Sequence, residues 1–291
     1  MEALENNDID RFVNYPFDEP MANQTSLKGD NSMRRKTGYA AAVLGLAMAV
    51  AIGTGGCGKK DDKYSYRAAG IEALNQGSYD SAVEAFDQAI SSSKGLVGKF
   101  DVDVLKYRAE AEYLAGDYSS ASDTYDILIK VDGERPEYLN MRSVSRAGAG
   151  DLKGAIEDYK QSAELDKDKK APGRLKALLA AGAAMEKAGT ASDAMSLYEE
   201  ALKDGEQSAE LYNRMGLCRI AAEDWTGAAE YFKKGLLEPD SSQVPELLFN
   251  QAVAEEHKGE FKTALDLMQQ YVSAHGPDEE AEREITFLKT R

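Results

Sequence analysis

Small and apolar residues recur along most of the chain at a regular interval. Each recurrence centres on an alanine that follows a short turn-forming segment. The six alanines are Ala82, Ala121, Ala155, Ala194, Ala228 and Ala264. Their spacings are 39, 34, 39, 34 and 36 residues, which suits one helical hairpin per interval. The pattern therefore predicts an all-α protein made of six repeated units.

The residues around each alanine repeat as well. Four positions later stands a large side chain, one helical turn on and on the same face: Phe86, Tyr125, Tyr159, Tyr198, Phe232 or Met268. Twelve positions earlier stands a small one: Gly70, Ala109, Ser143, Gly182, Gly216 or Ala252. We predict that two helices, A and B, cross closely at the small residue. In five of the six units a glycine before helix B supplies the left-handed turn that ends helix A.

Over about residues 64–277 this arrangement resembles the tetratricopeptide repeat family. The resemblance implies a right-handed α-solenoid of about six helical hairpins. The 39-residue intervals predict longer segments between units one and two, near 91–100, and between units three and four, near 166–173. Residues 278–291 are predicted to form a capping helix with Ile285 and Leu288 inward, since an open solenoid needs a terminal cap.

The first 63 residues have a different character. Residues 1–32 are polar and acidic, and we expect them to be disordered or, if translation starts at Met33, not part of the protein. Residues 33–56 begin with Met-Arg-Arg-Lys and continue without charge from Gly38 to Gly56. A positive start, an apolar run and small residues in that order predict a secretory signal peptide.

Cys57 follows the small residues directly and precedes a polar linker, residues 57–63. This order resembles a bacterial lipoprotein signal, in which the cysteine becomes the lipidated mature N-terminus. The resemblance implies an extracytoplasmic protein attached to a bacterial membrane. The sequence departs from the family at Thr54, where the family usually has leucine. The alternative is an uncleaved signal anchor, because the uncharged run is nearly the roughly 20 residues that a span requires.

Charge and chemistry exclude several classes of function. The chain carries 51 acidic and 35 basic residues, a net charge of −16, which disfavours nucleic acid as a partner. His257 and His275 have no ligand-like spacing, so no metal or other cofactor is expected. Cys218 lies within a predicted helix A without a histidine nearby, which indicates packing rather than nucleophilic chemistry. We therefore expect a protein that is not an enzyme.

The family resemblance instead implies a groove built by the A helices that binds a protein or an extended peptide. Counted from the small residue of each unit, the positions facing that groove carry amides, cations and aromatic rings, which suit an extended segment. The predicted groove residues are Arg67, Lys106, Tyr107, Glu110, Tyr113, Asn140, Asn213 and Arg214.

Two functions fit this sequence. The first is a lipid-anchored extracytoplasmic scaffold that mediates protein–protein interaction in the cell envelope, for example in assembling envelope, secretion or appendage complexes. The alternative is a non-catalytic, substrate-presenting subunit of an envelope enzyme or of a solute-capture system. A stable protein partner is expected only of the first.

Overall fold

The computed structural model describes residues 62–93 and 97–291, and this part of the chain contains thirteen α-helices and one 3-10 turn, Ser241–Gln243. The predicted signal segment and Cys57 lie outside the described residues. The helices are α1 (Asp62–Asn75), α2 (Tyr79–Ser92), α3 (Lys99–Leu114), α4 (Tyr118–Asp132), α5 (Pro136–Ala149), α6 (Leu152–Leu165), α7 (Arg174–Lys187), α8 (Ala191–Lys203), α9 (Ala209–Ala221), α10 (Trp225–Gly235), α11 (Glu246–His257), α12 (Phe261–His275) and α13 (Glu279–Leu288).

Consecutive helices pair into six hairpins, units one to six, each with an A helix (odd number) and a B helix (even number). A helices of neighbouring units contact one another, as α5 does with α7 and α7 with α9. The last helix, α13, packs against α12. The prediction of an α-solenoid of six hairpins with a terminal helix is confirmed. Within the described residues, no helix is both long and apolar enough to cross a membrane.

The turn inside each hairpin contains a left-handed residue, and in units two, three and five a capping aspartate follows it. Gly150 ends α5 with a φ of 84°, and its N–H donates back to the last turn of that helix. Asp151 then caps α6, because its Oδ1 accepts the backbone N–H of Gly154 at 3.0 Å. Glycine fills the left-handed position in five units, as predicted. In unit five Glu223 fills it instead, with a φ of 58°.

Each hairpin closes on the predicted trio of small residue, alanine and large side chain. All six alanines of the repeat have no exposed surface. A Cβ added to Gly70 would lie only 2.5 Å from the ring of Phe86. The side chain of Ser143, the small residue of unit three, donates to the carbonyl of Ala155 at 2.7 Å. Close approach of helices A and B is therefore the reason for small residues at the crossing.

Arginines connect one unit to the next in the first half of the solenoid. Arg142 on α5 forms ion pairs with Asp158 on α6 at 2.6 Å and with Asp126 on α4 at 2.5 Å. Asp158 is 2% exposed, so its charge is compensated almost entirely by arginine. Arg108 on α3 likewise pairs with Asp87 of the previous unit at 2.7 Å. These contacts fix neighbouring hairpins against each other.

The two predicted long connections are present, and the one before α7 is well ordered by hydrogen bonds. Asp166 accepts the backbone N–H groups of Lys170 and Ala171 at 3.0 and 2.9 Å. Beyond this loop, α7 packs on both helices of unit three. A third long connection, 236–245, was not predicted, because the short α10 of 11 residues keeps the repeat interval near normal.

Candidate protein-binding face

Helix α3 presents the largest group of predicted groove residues. Lys106, Tyr107, Glu110 and Tyr113 lie at successive turns on one side of this helix, since residues three and four apart are neighbours. Arg67 on α1 lies beside them, with its guanidinium carbon 5.3 Å from the centre of the Tyr107 ring. The structure therefore brings these predicted residues together. We call the surface of Arg67, Lys106, Tyr107 and Glu110 the α3 face.

Cations lie over aromatic rings along this face. Arg67 also pairs with Asp103 at 2.6 Å, and this contact, more than any other, raises the pKa of Arg67. Tyr107 stacks on Phe86 with 5.9 Å between ring centres. Lys106 Nζ lies 5.1 Å from the centre of the Tyr138 ring on the next A helix. Cation–ring contacts of this kind hold the charged groups in place while leaving them accessible.

The lower end of the face is covered by α7. Lys176 Nζ lies 4.2 Å from the centre of the Tyr113 ring. Tyr113 is 8% exposed and belongs to the hydrophobic core of units two to five, so it does not lie on an accessible groove surface as predicted. The reason is that α7, following its long connection, packs against unit three and brings Lys176 over this ring.

Glu110 and Lys176 influence each other electrostatically across this narrow part of the groove. The Glu110 side chain is exposed, but neighbouring protein atoms partly desolvate its carboxyl and thereby raise its pKa. The positive charge of Lys176 partly offsets this increase. Desolvation lowers the pKa of Lys176, with Glu110 acting in the opposite direction. The pair marks the boundary between the accessible α3 face and the filled middle of the solenoid.

Asn140 does not belong to an accessible surface. It is fully buried, and its Nδ2 donates to the carbonyl of Pro172 at 2.9 Å. Its Oδ1 is buried without a hydrogen-bond partner among the described residues. The amide thus holds the long connection before α7 against α5. Sequence reasoning failed here because that connection folds over the position where a groove was expected.

Asn213 and Arg214 are structural residues too. Asn213 is 5% exposed, and its Oδ1 accepts a hydrogen bond from Asn250 on the next A helix at 2.9 Å. Arg214 pairs with Glu210 at 2.8 Å and with Glu186 at 3.4 Å. Both predicted groove residues therefore connect A helices of different units, and neither offers a free group to a partner.

Sequence reasoning missed one position of the repeat. Asp103 and Lys176 stand six residues before the small residue of their units. This position lies one helical turn before the positions from which the groove residues were predicted. The equivalent positions carry Tyr64, Glu137, Glu210 and Glu246. The repeat register could have found all of them. Across the described residues, no group of three or more His, Cys, Asp or Glu is arranged to hold a metal ion.

Comparison with known proteins agrees with this architecture. A rice protein (Oryza sativa subsp. japonica) described as DnaJ protein P58IPK homolog B is 26% identical over 168 residues, which are 53% of this chain and 35% of that protein. The chain thus matches well under two thirds of its rice relative.

Among solved structures, a tetratricopeptide repeat protein from Parabacteroides merdae is similar with a TM-score of 0.60 and 13% identity, over 79% of this chain and 86% of that one. The pilF protein of Pseudomonas aeruginosa has a TM-score of 0.58 and 13% identity, over 80% of this chain and 99% of that one. PilW, described as a type IV pilus biogenesis factor, has a TM-score of 0.58 and 16% identity over 78% of this chain and 98% of that one.

The family profile described as tetratricopeptide repeat matches residues 67–136, 108–172 and 213–279, which together make up more than half of the chain. These ranges contain the alanine, the large side chain and the small residue of units one, two, three, five and six, and the three residues of unit four fall between them. The chain belongs to the tetratricopeptide repeat family.

Proposed function

We propose that this protein is a non-catalytic scaffold that holds an extended segment of a partner protein on the α3 face. The observation that carries the proposal is the line of Arg67, Lys106, Tyr107 and Glu110, which combines accessible charges with aromatic rings on two adjacent A helices. Repeats of this family generally bind proteins, and arginine and tyrosine are the residue types that often dominate binding energy.

The chemistry of the face favours a peptide over a small molecule. Its cations are supported by rings and by Asp103, so they are oriented before a partner arrives and lose little freedom on binding. An extended segment presents backbone carbonyls and side chains at regular intervals, which separate donors on α1 and α3 can contact. Glu110 adds an acceptor at the end of the line.

We further propose that Cys57 is the lipidated mature N-terminus and that the solenoid lies outside the cytoplasmic membrane. The support is the order of positive start, uncharged run and small residues before Cys57. Assembly of envelope, secretion or appendage complexes is the kind of process this placement suits. Two proteins of similar fold are PilW, described as a type IV pilus biogenesis factor, and pilF. We therefore include pilus assembly among the processes in which this scaffold could take part.

Charge reversal on the α3 face tests the binding surface. Lys106→Glu should reduce capture of cross-linked partners from membranes, because it replaces an accessible cation with an anion next to Glu110. Lys130→Glu, an exposed lysine on α4 of the same unit, changes charge equally and serves as the control. The melting temperature should stay the same in both variants. Equal capture by both variants and the wild type would place the binding surface elsewhere.

Mass spectrometry of the mature protein tests the anchor separately. The expected N-terminus is a lipidated Cys57, and Cys57→Ala should leave the chain unprocessed or release it from membranes, since several acyl chains are needed for firm attachment. An intact chain running through residues 40–56 in the membrane fraction would instead support the uncleaved signal anchor.

A further inference from the structure

One position of the repeat controls how closely each unit meets the next. Seven residues after the repeat alanine, units one to five carry buried residues that are mostly small: Ala89, Leu128, Ser162, Ala201 and Gly235. A Cβ on Gly235 would lie 2.8 Å from Leu247 of the next unit and 3.2 Å from the carbonyl of Ala209. Helix B is therefore in close contact with two A helices at this point.

Unit six departs from this rule. The same position holds Tyr271, which is only partly buried and too large for such an approach. Its ring meets Phe249 on α11 edge to face, with 5.5 Å between ring centres. Its hydroxyl donates to Asp278 Oδ2 at 3.0 Å. The tyrosine thereby stands between α11 and α13 and leaves a cavity of about 290 Å³ at this end of the solenoid.

The walls of the cavity are strongly acidic. Four carboxylates line it together with the aromatic pair, Asn250 and one cation, Arg283: they are Glu246, Asp278, Glu279 and Glu280. Arg283 directs its Nε to the backbone carbonyl of Glu279 at 3.2 Å. Burial raises the pKa of the Glu246 carboxyl, and the positive charges of Arg214 and His275 offset this only in part. The site thus combines a ring surface with an excess of negative charge.

We propose that this cavity, which we call the cap cavity, receives an arginine side chain from an extended basic segment of a partner protein. A guanidinium matches both parts of the lining, because its plane stacks on aromatic rings and its edge donates to carboxylates in pairs. Phe249 and Tyr271 supply the rings, while Glu246, Glu279 and Glu280 supply the acceptors. A metal ion is disfavoured, since no metal-holding group exists among the described residues.

This inference rests on the proposed protein-binding function and deepens it by naming the partner's chemistry. The cap cavity contains the sixth unit's member of the repeat position that lies six residues before the small residue. Glu246 stands six residues before Ala252, as Asp103 stands six residues before Ala109. The two ends of the inner surface therefore differ in charge balance. The α3 face combines the cations Arg67 and Lys106 with Glu110 and Asp103, whereas the cap cavity has four carboxylates and one arginine.

Binding of labelled peptides to the purified full chain tests the proposal. The probes are a fluorescein-labelled glycine–serine peptide containing arginines and a matched peptide with citrulline, which keeps the shape and loses the charge. Arginine peptide should bind, and Glu279→Gln with Glu280→Gln should weaken it about tenfold by removing two charged acceptors. Glu230→Gln with Asp266→Asn, two exposed carboxylates outside the cavity, is the control with the same charge change.

A second pair of variants separates the cavity from overall charge. Tyr271→Phe keeps the ring and should retain binding, whereas Tyr271→Ala restores the small residue of units one and four and should abolish it as α13 moves in. Three outcomes would overturn the proposal: no binding of arginine peptide by the wild type, equal binding of the citrulline peptide, or equal loss in the control. Partner capture that still depends on Lys106 would leave the proposed function standing.

Discussion

The junction between units three and four and the junction between unit six and α13 both depart from the regular repeat, with opposite results. At the first, a long connection is held by Asn140 and Asp166, and Lys176 of α7 lies over the Tyr113 ring. At the second, Tyr271 keeps the helices apart and a cavity remains. The size of one side chain and the anchoring of one loop therefore distinguish the closed solenoid junction from the junction that keeps a cavity.

The largest expected effect is at the closed junction. Arg174 is 7% exposed and pairs with Glu206 at 2.8 Å, Asp204 at 3.5 Å and the buried Asp166 at 3.8 Å. Arg174→Ala should cost about 3–5 kcal/mol of unfolding free energy, because it leaves buried carboxylate charge uncompensated. Urea denaturation measures the change.

Lys169→Ala is the matched control for that measurement. Lys169 also pairs with Asp204, at 2.9 Å, but both side chains are about 40% exposed. Surface ion pairs of this kind contribute about 0–1 kcal/mol. Equal effects of the two substitutions would mean that the junction is not held by its buried charge.

Removing the cap, residues 278–291, should have the next largest effect. It uncovers the apolar cluster of unit six, including Met268 and Ala264, and removes Leu288, which is 3% exposed. We expect a loss of about 2–3 kcal/mol, the value of burying one large apolar side chain such as Leu288, together with aggregation. Calorimetry and light scattering provide the test. A truncated chain that remains monomeric with an unchanged melting temperature would contradict it.

Asn140→Ala should weaken the closed junction to a smaller extent. The substitution removes the hydrogen bond to the Pro172 carbonyl, which is worth about 1–2 kcal/mol when buried, but it also removes an unpaired Oδ1. Lys170→Ala, an exposed side chain in the same connection, should change stability little. Limited proteolysis within 166–173 should become faster only in the asparagine variant.

The smallest effect concerns Glu246 at the open junction. Its folded-state pKa is raised above the ordinary 4.5, chiefly by burial, so its contribution to stability is fullest below pH 4.5 and is lost as pH rises through the folded pKa. Glu246→Gln should therefore stabilise the protein slightly at pH 7, where the glutamate is ionised, and not near pH 4, where it is protonated. Denaturation at both values checks this. A larger gain at the lower pH would reverse the sign argument.

The sequence predicted the repeat well because the hairpin depends on local spacing. Ala121 and Tyr125 lie four residues apart on one face of α4, and both are buried because that face packs against α3. Asn140 and Tyr113 were assigned to a groove by the same register, and both are buried. Their burial depends on the path of the connection before α7, which no period encodes. Lys176 could have been found by counting one turn further, whereas its position over Tyr113 could not.

The buried thiol of Cys218 can report local opening of the solenoid. The thiol lies 5% exposed in α9 between units four and five, and burial raises its pKa to about 12, so it reacts slowly in the closed state. In a Cys57→Ser background it becomes the single thiol of the chain. The rate at which a thiol reagent modifies it then reports how often the central junction separates. The frequency of local opening can thus be measured without introducing a labelling site.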